Sequence, residues 1–372
     1  MIEFHCPTRI LYGAGAFERL GEVASRLGKR TLVVSDPGLC ALGFSERAAK
    51  LLRDKGLTVS FFHDFGENPT SAMVERGALV AGENEVDSIV GLGGGSSMDC
   101  AKAINFLRTN GGSMKDYWGY AKASGPMLPM IAVPTTAGTG SEVQSYALIS
   151  DDATHRKMAC GDPKAFFHTA ILDPLLTVSQ PPAVTAATGY DAIGHAVETY
   201  VTTRRTAGSQ FFSLEAWRLL ERNFERVLEA PGDVEARGAM LLGATLAGIA
   251  IEASMLGATH ALANPLTEEH ETAHGAAIAV LLPHVVRWNS AEVGSLYAEM
   301  MGVSAAGPGM DLADRLEGLL AASGVPTRLA QLGIPEADLP RLARKSLEQW
   351  TGRFNPRPLT EEDALALYRA AF

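Results

Sequence analysis

Four side chains that can bind a metal ion occur in two short stretches of the sequence. Asp191 and His195 are four residues apart in GYDAIGHAVETY, so a helix would place both on one face. His260 and His274 follow further along the chain, in GATHALANPLTEEHETAHGAA. One carboxylate oxygen and three imidazole nitrogens suit Zn²⁺ or Fe²⁺. If the four side chains converge in the fold, the sequence predicts a metal-dependent enzyme.

Each of these side chains also has an ordinary structural interpretation. Asp191 follows Gly189 and Tyr190 and could cap the start of a helix. His195 lies on an apolar helical stretch and could be a core histidine whose hydrogen bonds are satisfied. An isolated Asp/His pair at this spacing is more often structural than metal-binding. The pair alone therefore leaves both interpretations open.

Short strand-like runs alternate with helical stretches through the first half of the chain. Strands are predicted at 31–36, 57–62, 87–93 and 129–135. Helices are predicted at 44–56, 70–85 and 96–110. This alternation predicts a parallel sheet with helices on its faces.

Helical periodicity replaces this alternation after Pro181-Pro182 and continues to the C-terminus. The chain has 372 residues, which exceeds the size at which one hydrophobic core stops growing. We therefore expect an α/β domain over 1–182 and an all-helical domain over 183–372.

A glycine-rich segment, GLGGGSSMD (91–99), joins a predicted strand to a predicted helix. Glycines let the backbone approach a phosphate closely, and a helix N-terminus offers unpaired N–H groups and the positive end of a dipole. Ser96 and Ser97 could add hydroxyl donors. A plain strand-to-helix turn is the alternative, but three successive glycines exceed what a turn needs. The segment predicts a phosphate-binding loop, although it lacks the GxGxxG spacing.

Two further polar segments extend this interpretation to a dinucleotide. In PTTAGTGSEV (134–143), Thr135, Thr136 and Thr139 could line the path of a pyrophosphate or nicotinamide, or form an ordinary Thr/Gly loop. Asp36 ends the first predicted strand and could accept hydrogen bonds from the ribose hydroxyls of an adenosine. A carboxylate there repels a 2′-phosphate, which favours NAD over NADP. The alternative is a turn residue in Asp-Pro-Gly.

Composition excludes several other classes of function. With 32 Lys and Arg against 42 Asp and Glu, the net charge is −10, which disfavours nucleic acid and anionic membranes as partners. The N-terminus shows no signal peptide, and we expect no membrane span. The four cysteines are widely separated, which is typical of reduced thiols in a cytoplasmic protein.

In their order and spacing, these motifs resemble those of the iron-dependent (group III) alcohol dehydrogenases of the lactaldehyde reductase and 1,3-propanediol dehydrogenase type. The similarity runs nearly from end to end, through PTRILYGAGA, ENPT (67–70), GGGSSMD, PTTAGTGSE, GYDAIGHAVE, the His260–His274 segment and LLPHVVRWN (281–289). The resemblance implies a dehydroquinate synthase-like fold with an NAD-binding α/β domain, a helical metal-binding domain and an active site between them. It also implies a homodimer or a larger homo-oligomer.

The resemblance implies roles for individual residues as well. The residues that match metal ligands, with Fe²⁺ preferred and Zn²⁺ compatible, are Asp191, His195, His260 and His274. Those that match cofactor-binding positions are Asp36, Gly94, Gly95, Ser96, Asp99, Thr135, Thr136, Thr139 and Lys157. Those in stretches that line the substrate cleft of relatives are Tyr146, Ile251, Leu256, Thr351 and Phe354. The last set suggests a mostly apolar pocket for a small alcohol or aldehyde.

One position departs from the family pattern. Related enzymes often carry a histidine four residues after the first downstream ligand, as a proposed proton relay, whereas this chain has Asn264. An amide can form hydrogen bonds but cannot shuttle protons near neutral pH. We expect the proton to leave through water, through the ribose hydroxyls or through another group such as His270. His270 could equally be an exposed polar residue beside Glu268, Glu269 and Glu271.

The predicted function is the metal-dependent, NAD(H)-linked interconversion of a small primary alcohol or diol and its aldehyde. A metal-free reductase of the maleylacetate reductase type is an alternative on the same fold, but such enzymes lack the full ligand set. A lyase like dehydroquinate synthase would need clustered Lys and Arg contacts, which the sequence does not show. A non-catalytic nucleotide- or metal-binding module is the remaining alternative.

Overall fold

The computed structural model describes residues 5–154, 156–304, 306 and 310–372. The chain forms two compact units. The α/β unit contains Cys6–Thr136 and Ser141–Thr177, and the helical unit contains Val178–Phe372 together with the short segment Ala137–Gly140. This segment packs within the helical unit, because a Cβ on Gly140 would lie 2.6 Å from the Cα of Gly248.

Strands of the α/β unit form two sheets. The strands are β1 (Arg9–Tyr12), β2 (Arg30–Val34), β3 (Thr58–Phe62), β4 (Ser88–Gly93), β5 (Gly119–Tyr120), β6 (Met130–Pro134), β7 (Tyr146–Ser150), β8 (Lys157–Gly161) and β9 (Thr169–Leu172). The larger sheet is parallel, in the order β1-β9-β6-β4-β2-β3. The central strands β4 and β6 are buried along their whole length, as expected of a parallel sheet covered on both faces.

The helices of this unit are α1 (Leu20–Ala24), α2 (Pro37–Ala41), α3 (Phe44–Arg53), α4 (Ser71–Glu83) and α5 (Gly95–Asn110). The strands and helices predicted from the sequence correspond to β2, β3, β4, β6, α3, α4 and α5, and the predicted parallel α/β fold is confirmed.

The smaller sheet, in the order β5-β8-β7, is not apparent in the sequence. Its strand β5 has only two residues, and β7 and β8 pair antiparallel across a turn. Such short strands are set by their pairing partners more than by their own residue pattern.

The second unit is helical, as predicted. Its helices are α6 (Pro182–Val201), α7 (Ala207–Glu229), α8 (Val234–Glu252), α9 (Ala258–His270), α10 (His274–Met301), α11 (Leu312–Ser323), α12 (Leu339–Ser346) and α13 (Glu361–Ala370). Helix α6 begins at the Pro181-Pro182 pair, because proline is favoured in the first turn, where its missing N–H costs nothing. A hydrophobic core of this unit packs α9, α10, α12 and α13 together.

Among the described residues, α8 is the one helix long and apolar enough to cross a membrane by length and composition, but 72% of its most apolar 18-residue window is buried inside the protein. Its contacts with α6 and α7 make it a core helix of the unit. Small residues such as Gly243 and Gly248 allow this close packing, since a Cβ on Gly243 would lie 2.8 Å from Leu220.

Candidate active site

The four predicted metal ligands come together within the helical unit. Asp191 and His195 lie on α6, His260 lies in the first turn of α9, and His274 is the first residue of α10. The Nε2 atoms of His195, His260 and His274 lie 3.5, 3.5 and 3.8 Å from Oδ1 of Asp191. Metal–ligand bonds of about 2.1 Å in a tetrahedral arrangement place ligand atoms roughly 3.4 Å apart. The ligand atoms of Asp191, His195 and His260 all lie within 4.8 Å of one another and could hold a metal ion, and His274 approaches the same oxygen of Asp191.

Two polar atoms at this centre are buried without hydrogen-bond partners among the described residues. Asp191 is 5% exposed and His260 is 3% exposed. Among the described residues, neither Oδ1 of Asp191 nor Nε2 of His260 has a hydrogen-bond partner. Buried polar atoms without partners are rare because they cost about 1–3 kcal/mol each. A cation bound between these atoms would satisfy them, so the residues present fit a metal ion.

The side chain of His274 is the most accessible of the four ligands, at 29% exposed, so the centre is open on that side. The Nδ1 atom of His274 lies 3.4 Å from the hydroxyl of Thr267.

The electrostatics of the centre favour positive charge. Burial raises the pKa of Asp191, but His195 and the other two histidines outweigh it and hold that pKa well below its ordinary value. Burial lowers the pKa of His195. Burial also acts to lower the pKa of His260, but Glu198 and Asp191 outweigh it and raise that pKa to about 9. The carboxylate of Asp191 therefore stays ionised at neutral pH.

The predicted cofactor loops lie together at the carboxyl edge of the parallel sheet. Asp36 follows β2, and the ENPT segment (67–70) follows β3. The glycine-rich segment 91–99, here called the glycine loop, lies at the end of β4, and the segment 134–143, here called the threonine loop, lies at the end of β6. The amide of Thr135 donates to the carbonyl of Gly93 at 2.9 Å, and a Cβ on Gly94 would lie 3.3 Å from the hydroxyl oxygen of Thr136. In parallel α/β sheets, ligands bind at this edge.

The glycine loop presents the N-terminus of α5 to this edge. Gly94 is the N-cap of α5 and Gly95 is its first residue. Gly93 has a positive φ of 145°, and a Cβ there would lie 2.2 Å from the hydroxyl oxygen of Ser97. Only glycine fits this position, and Ser97 is buried beneath it, at 1% exposed. Ser96 is more accessible and accepts from the amide of Asn68 at 3.4 Å.

Comparison with known proteins identifies the family. Residues 7–174 match the family described as "Iron-containing alcohol dehydrogenase", and residues 185–372 match "Fe-containing alcohol dehydrogenase family, C-terminal". The chain belongs to the iron-containing alcohol dehydrogenase family. This confirms the family, the fold class and the enzyme class that the motifs indicate.

Full-length relatives agree with this assignment. The chain is 34% identical over 380 residues to a protein named NAD-dependent methanol dehydrogenase from Bacillus methanolicus, covering 100% of both chains. It is also 34% identical to a 1,3-propanediol dehydrogenase from Klebsiella pneumoniae, covering 100% of this chain and 99% of the relative. A solved structure of a 1,3-propanediol oxidoreductase superimposes with a TM-score of 0.95 at 33% identity, over 100% of both chains.

The predicted cofactor residue Asp36 of this dehydrogenase also has a partner inside the protein. Oδ1 of Asp36 accepts from the amide of Leu39 at 3.1 Å and caps α2, as expected of the turn interpretation. The cap uses one carboxylate oxygen, so it is compatible with a second role. Thr139 belongs to the short segment that packs with the helical unit, whereas Thr135 and Thr136 belong to the α/β unit.

Asp99 is tied into a network behind the glycine loop. Its Oδ1 accepts from the hydroxyl of Ser141 at 2.7 Å. The buried ammonium of Lys102 donates to the carbonyl and hydroxyl oxygens of Ser141, at 2.7 and 2.9 Å, and to the carbonyl of Tyr146 at 2.7 Å. Burial raises the pKa of Asp99 against the opposing charges of Lys102 and Lys157. These contacts give Asp99 a structural function in joining the two loops.

Glu198 contacts His260 and is not among the site residues predicted from the sequence. Its Oε2 lies 2.5 Å from Nδ1 of His260, on the side of the ring opposite Asp191. Burial raises the pKa of Glu198, but His260 outweighs it and lowers that pKa. A signal does exist, because Glu198 follows Asp191 and His195 by seven and three residues in the same motif, which places all three on one helix face. A search for residues that bind the metal directly does not find Glu198, because Glu198 contacts a predicted ligand instead.

Asn264 and His270 lie further along α9 than His260. The side-chain amide of Asn264 donates to Oε1 of Gln349 at 3.0 Å. Nε2 of His270 lies 3.3 Å from Oδ2 of Asp338. His260 and His270 are ten positions apart on the same helix, or roughly 15 Å along its axis. This distance argues against His270 as a proton relay beside the predicted ligands.

The predicted substrate residues divide between the two units. Ile251 lies near the end of α8, Leu256 lies in the loop before α9, and Thr351 and Phe354 lie on the 3₁₀ helix Trp350–Phe354. That 3₁₀ helix packs on α9 beside His260, because a Cβ on Gly352 would lie 3.2 Å from the Cβ of Ala261.

Tyr146 begins β7 in the α/β unit. Its ring packs over Gly161, where an added Cβ would lie 2.4 Å from the ring, and its centroid is 5.6 Å from that of Tyr120.

Proposed function

We propose that this member of the family is a metal-dependent, NAD(H)-linked dehydrogenase that interconverts a small primary alcohol or diol and its aldehyde. The observation that carries the proposal is the convergence of three imidazole Nε2 atoms on Oδ1 of Asp191, at 3.5 to 3.8 Å. A complete set of ligands also favours this function over a metal-free reductase on the same fold.

Asp191, His195, His260 and His274 would hold the ion. Their donor set suits Fe²⁺ and Zn²⁺, and the family favours Fe²⁺. A divalent ion bound there supplies Lewis-acid polarisation of the substrate oxygen. The ionised carboxylate of Asp191 would offset the charge of the ion, and His195 and His260 are both buried beside it.

NAD is the cofactor that the α/β unit would bind. Gly94, Gly95 and Ser96 form the start of α5, where backbone N–H groups and the helix dipole attract a pyrophosphate. Thr135 and Thr136 lie against this loop and offer hydroxyl groups. The bound nicotinamide supplies the hydride chemistry, while these residues position it.

The preference for NAD over NADP rests on Asp36. Its carboxylate would accept from a ribose hydroxyl and repel a 2′-phosphate. A relative that aligns over its full length is named NAD-dependent, in agreement with this choice.

The substrate would be small and mostly apolar around its reacting carbon. Ile251, Leu256 and Phe354 offer apolar surface in the helical unit, and Thr351 is the polar member of that set. Because Asn264 cannot carry a proton, proton exchange would use water or the ribose hydroxyls. We further propose a cytoplasmic homodimer or larger homo-oligomer.

The test is to purify the protein, measure its metal content and follow NAD(H) absorbance with short alcohols, 1,3-propanediol and short aldehydes. Activity should disappear on chelation and return when Fe²⁺ is added under anaerobic conditions, or in part with Zn²⁺. Parallel assays with NADP(H) test the cofactor preference. Activity that survives complete removal of metal would contradict the proposal.

A further inference from the structure

A buried carboxylate holds the ring of His260 from behind. Glu198 is 4% exposed, and its Oε2 lies 2.5 Å from Nδ1 of His260. The other ring nitrogen, Nε2, faces Oδ1 of Asp191 at 3.5 Å. The ring of His260 therefore lies between two carboxylates, with Nδ1 facing Glu198 and Nε2 facing Asp191.

The same carboxylate receives the first backbone amides of α9. Oε2 of Glu198 accepts from the amide of Gly257 at 3.1 Å, and Oε1 accepts from the amide of Thr259 at 2.6 Å. The first amides of a helix have no partner within the helix, and its N-terminus attracts negative charge. Both oxygens of Glu198 are thus held, and the carboxylate cannot rotate away from the ring.

Asn355 completes this arrangement. Its Oδ1 accepts from the amide of Ala258 at 3.2 Å, so the amides of Gly257, Ala258 and Thr259 are all received by side chains from outside α9. Asn355 is itself held by Asn289, through paired amide hydrogen bonds of 2.8 and 3.0 Å. A side chain at position 257 would not fit, because a Cβ there would lie 2.9 Å from Oδ1 of Asn355 and 3.1 Å from Oε1 of Glu198.

The chemistry of these groups determines where the proton of His260 resides. An ionised carboxylate can only accept hydrogen bonds, so Nδ1 of His260 must donate to Glu198. In the neutral ring, the lone pair needed for a metal bond is then on Nε2, which faces Oδ1 of Asp191. Nδ1 of His274 lies 3.4 Å from the hydroxyl of Thr267.

We infer that Glu198 is a positioning residue that fixes the tautomer and ring orientation of His260 and thereby strengthens metal binding without contacting the ion. The inference rests on the proposed metal site. Partners that orient a metal-bound histidine typically contribute 10–100-fold, in round numbers, to metal affinity.

The experiment uses Zn²⁺ as the probe, in competition with a chromogenic chelator, on metal-free full-length protein. In Glu198→Gln, the remaining oxygen still accepts from the amide of Thr259, whereas an NH₂ group in the place of Oε2 can donate to Nδ1 and favour the wrong tautomer. The amide of Gly257 then loses its acceptor, so a second variant is needed to separate the two effects. We expect the Kd for Zn²⁺ to rise about 10–100-fold. The Kd for Zn²⁺ is measured near pH 7 and near pH 9. Competition by protons weakens at the higher pH, whereas an effect of ring orientation on the Kd persists at both.

Two further variants separate positioning from helix capping. Asn355→Ser removes the acceptor for the amide of Ala258 but leaves the contact between Glu198 and His260. It should lower the midpoint of unfolding while Zn²⁺ affinity stays close to that of the unaltered protein. Glu198→Asp keeps an acceptor-only carboxylate and should bind Zn²⁺ more tightly than Glu198→Gln, and it also serves if the glutamine variant does not fold.

The outcomes are distinguishable. If Glu198→Gln unfolds more easily but binds Zn²⁺ with unaltered affinity, Glu198 is a helix cap only and the inference is overturned. It is equally overturned if the aspartate and glutamine variants bind Zn²⁺ alike. If the unaltered protein binds neither Zn²⁺ nor Fe²⁺, the proposed function itself fails.

Discussion

The molecule contains two buried clusters of charged residues, and they use their polar atoms in opposite ways. In the α/β unit, the ammonium of Lys102 is fully buried and donates to three oxygens, on Ser141 and Tyr146. In the helical unit, Oδ1 of Asp191 and Nε2 of His260 face each other at 3.5 Å, and neither has a hydrogen-bond partner among the described residues.

This difference separates a structural cluster from a ligand site. An ammonium has three protons to donate, and the contacts of Lys102 use all three, so the cluster is complete as it stands. A buried centre whose acceptor atoms converge without donors is incomplete, and it is stable only because other parts of the fold hold it. Changes in the first cluster should therefore affect stability, and changes in the second should affect function.

Replacement of the shared ligand should give the largest effect. Asp191→Asn keeps the shape of the side chain but loses the anionic oxygen on which the three histidines converge. Lewis-acid catalysis contributes several kcal/mol, so we expect kcat/KM to fall by about 10³-fold or more. Metal content and kcat/KM measured on the same preparation test this.

The circular dichroism spectrum and NAD binding of Asp191→Asn should match those of the unaltered protein. If the variant retains bound metal and its activity stays within about tenfold of normal, the Asp191 centre is not the ligand site that the comparison assigns.

Loss of the buried ammonium should give the opposite result. Lys102→Met leaves the carbonyls of Ser141 and Tyr146 without their donor, and it removes the positive charge near Asp99. We expect the free energy of unfolding in urea to fall by about 3 kcal/mol. The matched control is Lys50→Met, because Lys50 pairs with Asp54 on the surface with 75% of its side chain exposed.

The control should change stability by less than about 0.5 kcal/mol. If the two methionine variants unfold alike, the Lys102 cluster does not stabilise the α/β unit and the contrast is lost.

A smaller effect is expected at Asn264, where this chain departs from the family pattern. Asn264 donates to Gln349 and cannot titrate, whereas Asn264→His would add a group with an ordinary pKa near 6.5. We expect activity to persist and the pH optimum for alcohol oxidation to move towards neutrality. Asn264→Gln controls for the change in size. A pH–rate profile that is the same in all three proteins would show that this position takes no part in proton exchange.

The smallest effect concerns a carboxylate of the α/β unit that already has partners. Lys115 and Thr154 lower the pKa of Asp151 to about 2. Because the folded pKa lies below the unfolded value of about 3.9, Asp151 stabilises the fold above about pH 4, and this contribution disappears as the pH falls towards about 2. Asp151→Asn should therefore lower the midpoint of urea unfolding at neutral pH. The difference should shrink in acid, and a difference independent of pH would contradict the assigned cause.

Much of the fold follows from local pattern. The strand predicted at 87–93 is β4, and the helix predicted at 96–110 is α5, because an apolar run that ends in glycines and a long stretch without Gly or Pro are strong signals. The sheet of β5, β8 and β7 does not follow, since β5 has two residues and depends on its partner for its conformation. The grouping of Ala137–Gly140 with the helical unit is equally invisible, because it depends on a contact with Gly248, more than 100 residues away.

The sequence by itself determined the type of chemistry and its components: a carboxylate with three imidazoles, and glycine and threonine loops at the ends of strands. Residue type and spacing suffice for this, since ligand atoms and turn conformations are properties of local segments. Only the tertiary structure decided which oxygen the histidines share, that Asp99 joins a structural network, and that Glu198 holds His260. The contacts of Asp99 with Ser141, of Glu198 with His260 and of Asp191 with His260 join residues 42, 62 and 69 positions apart, and packing alone brings them together.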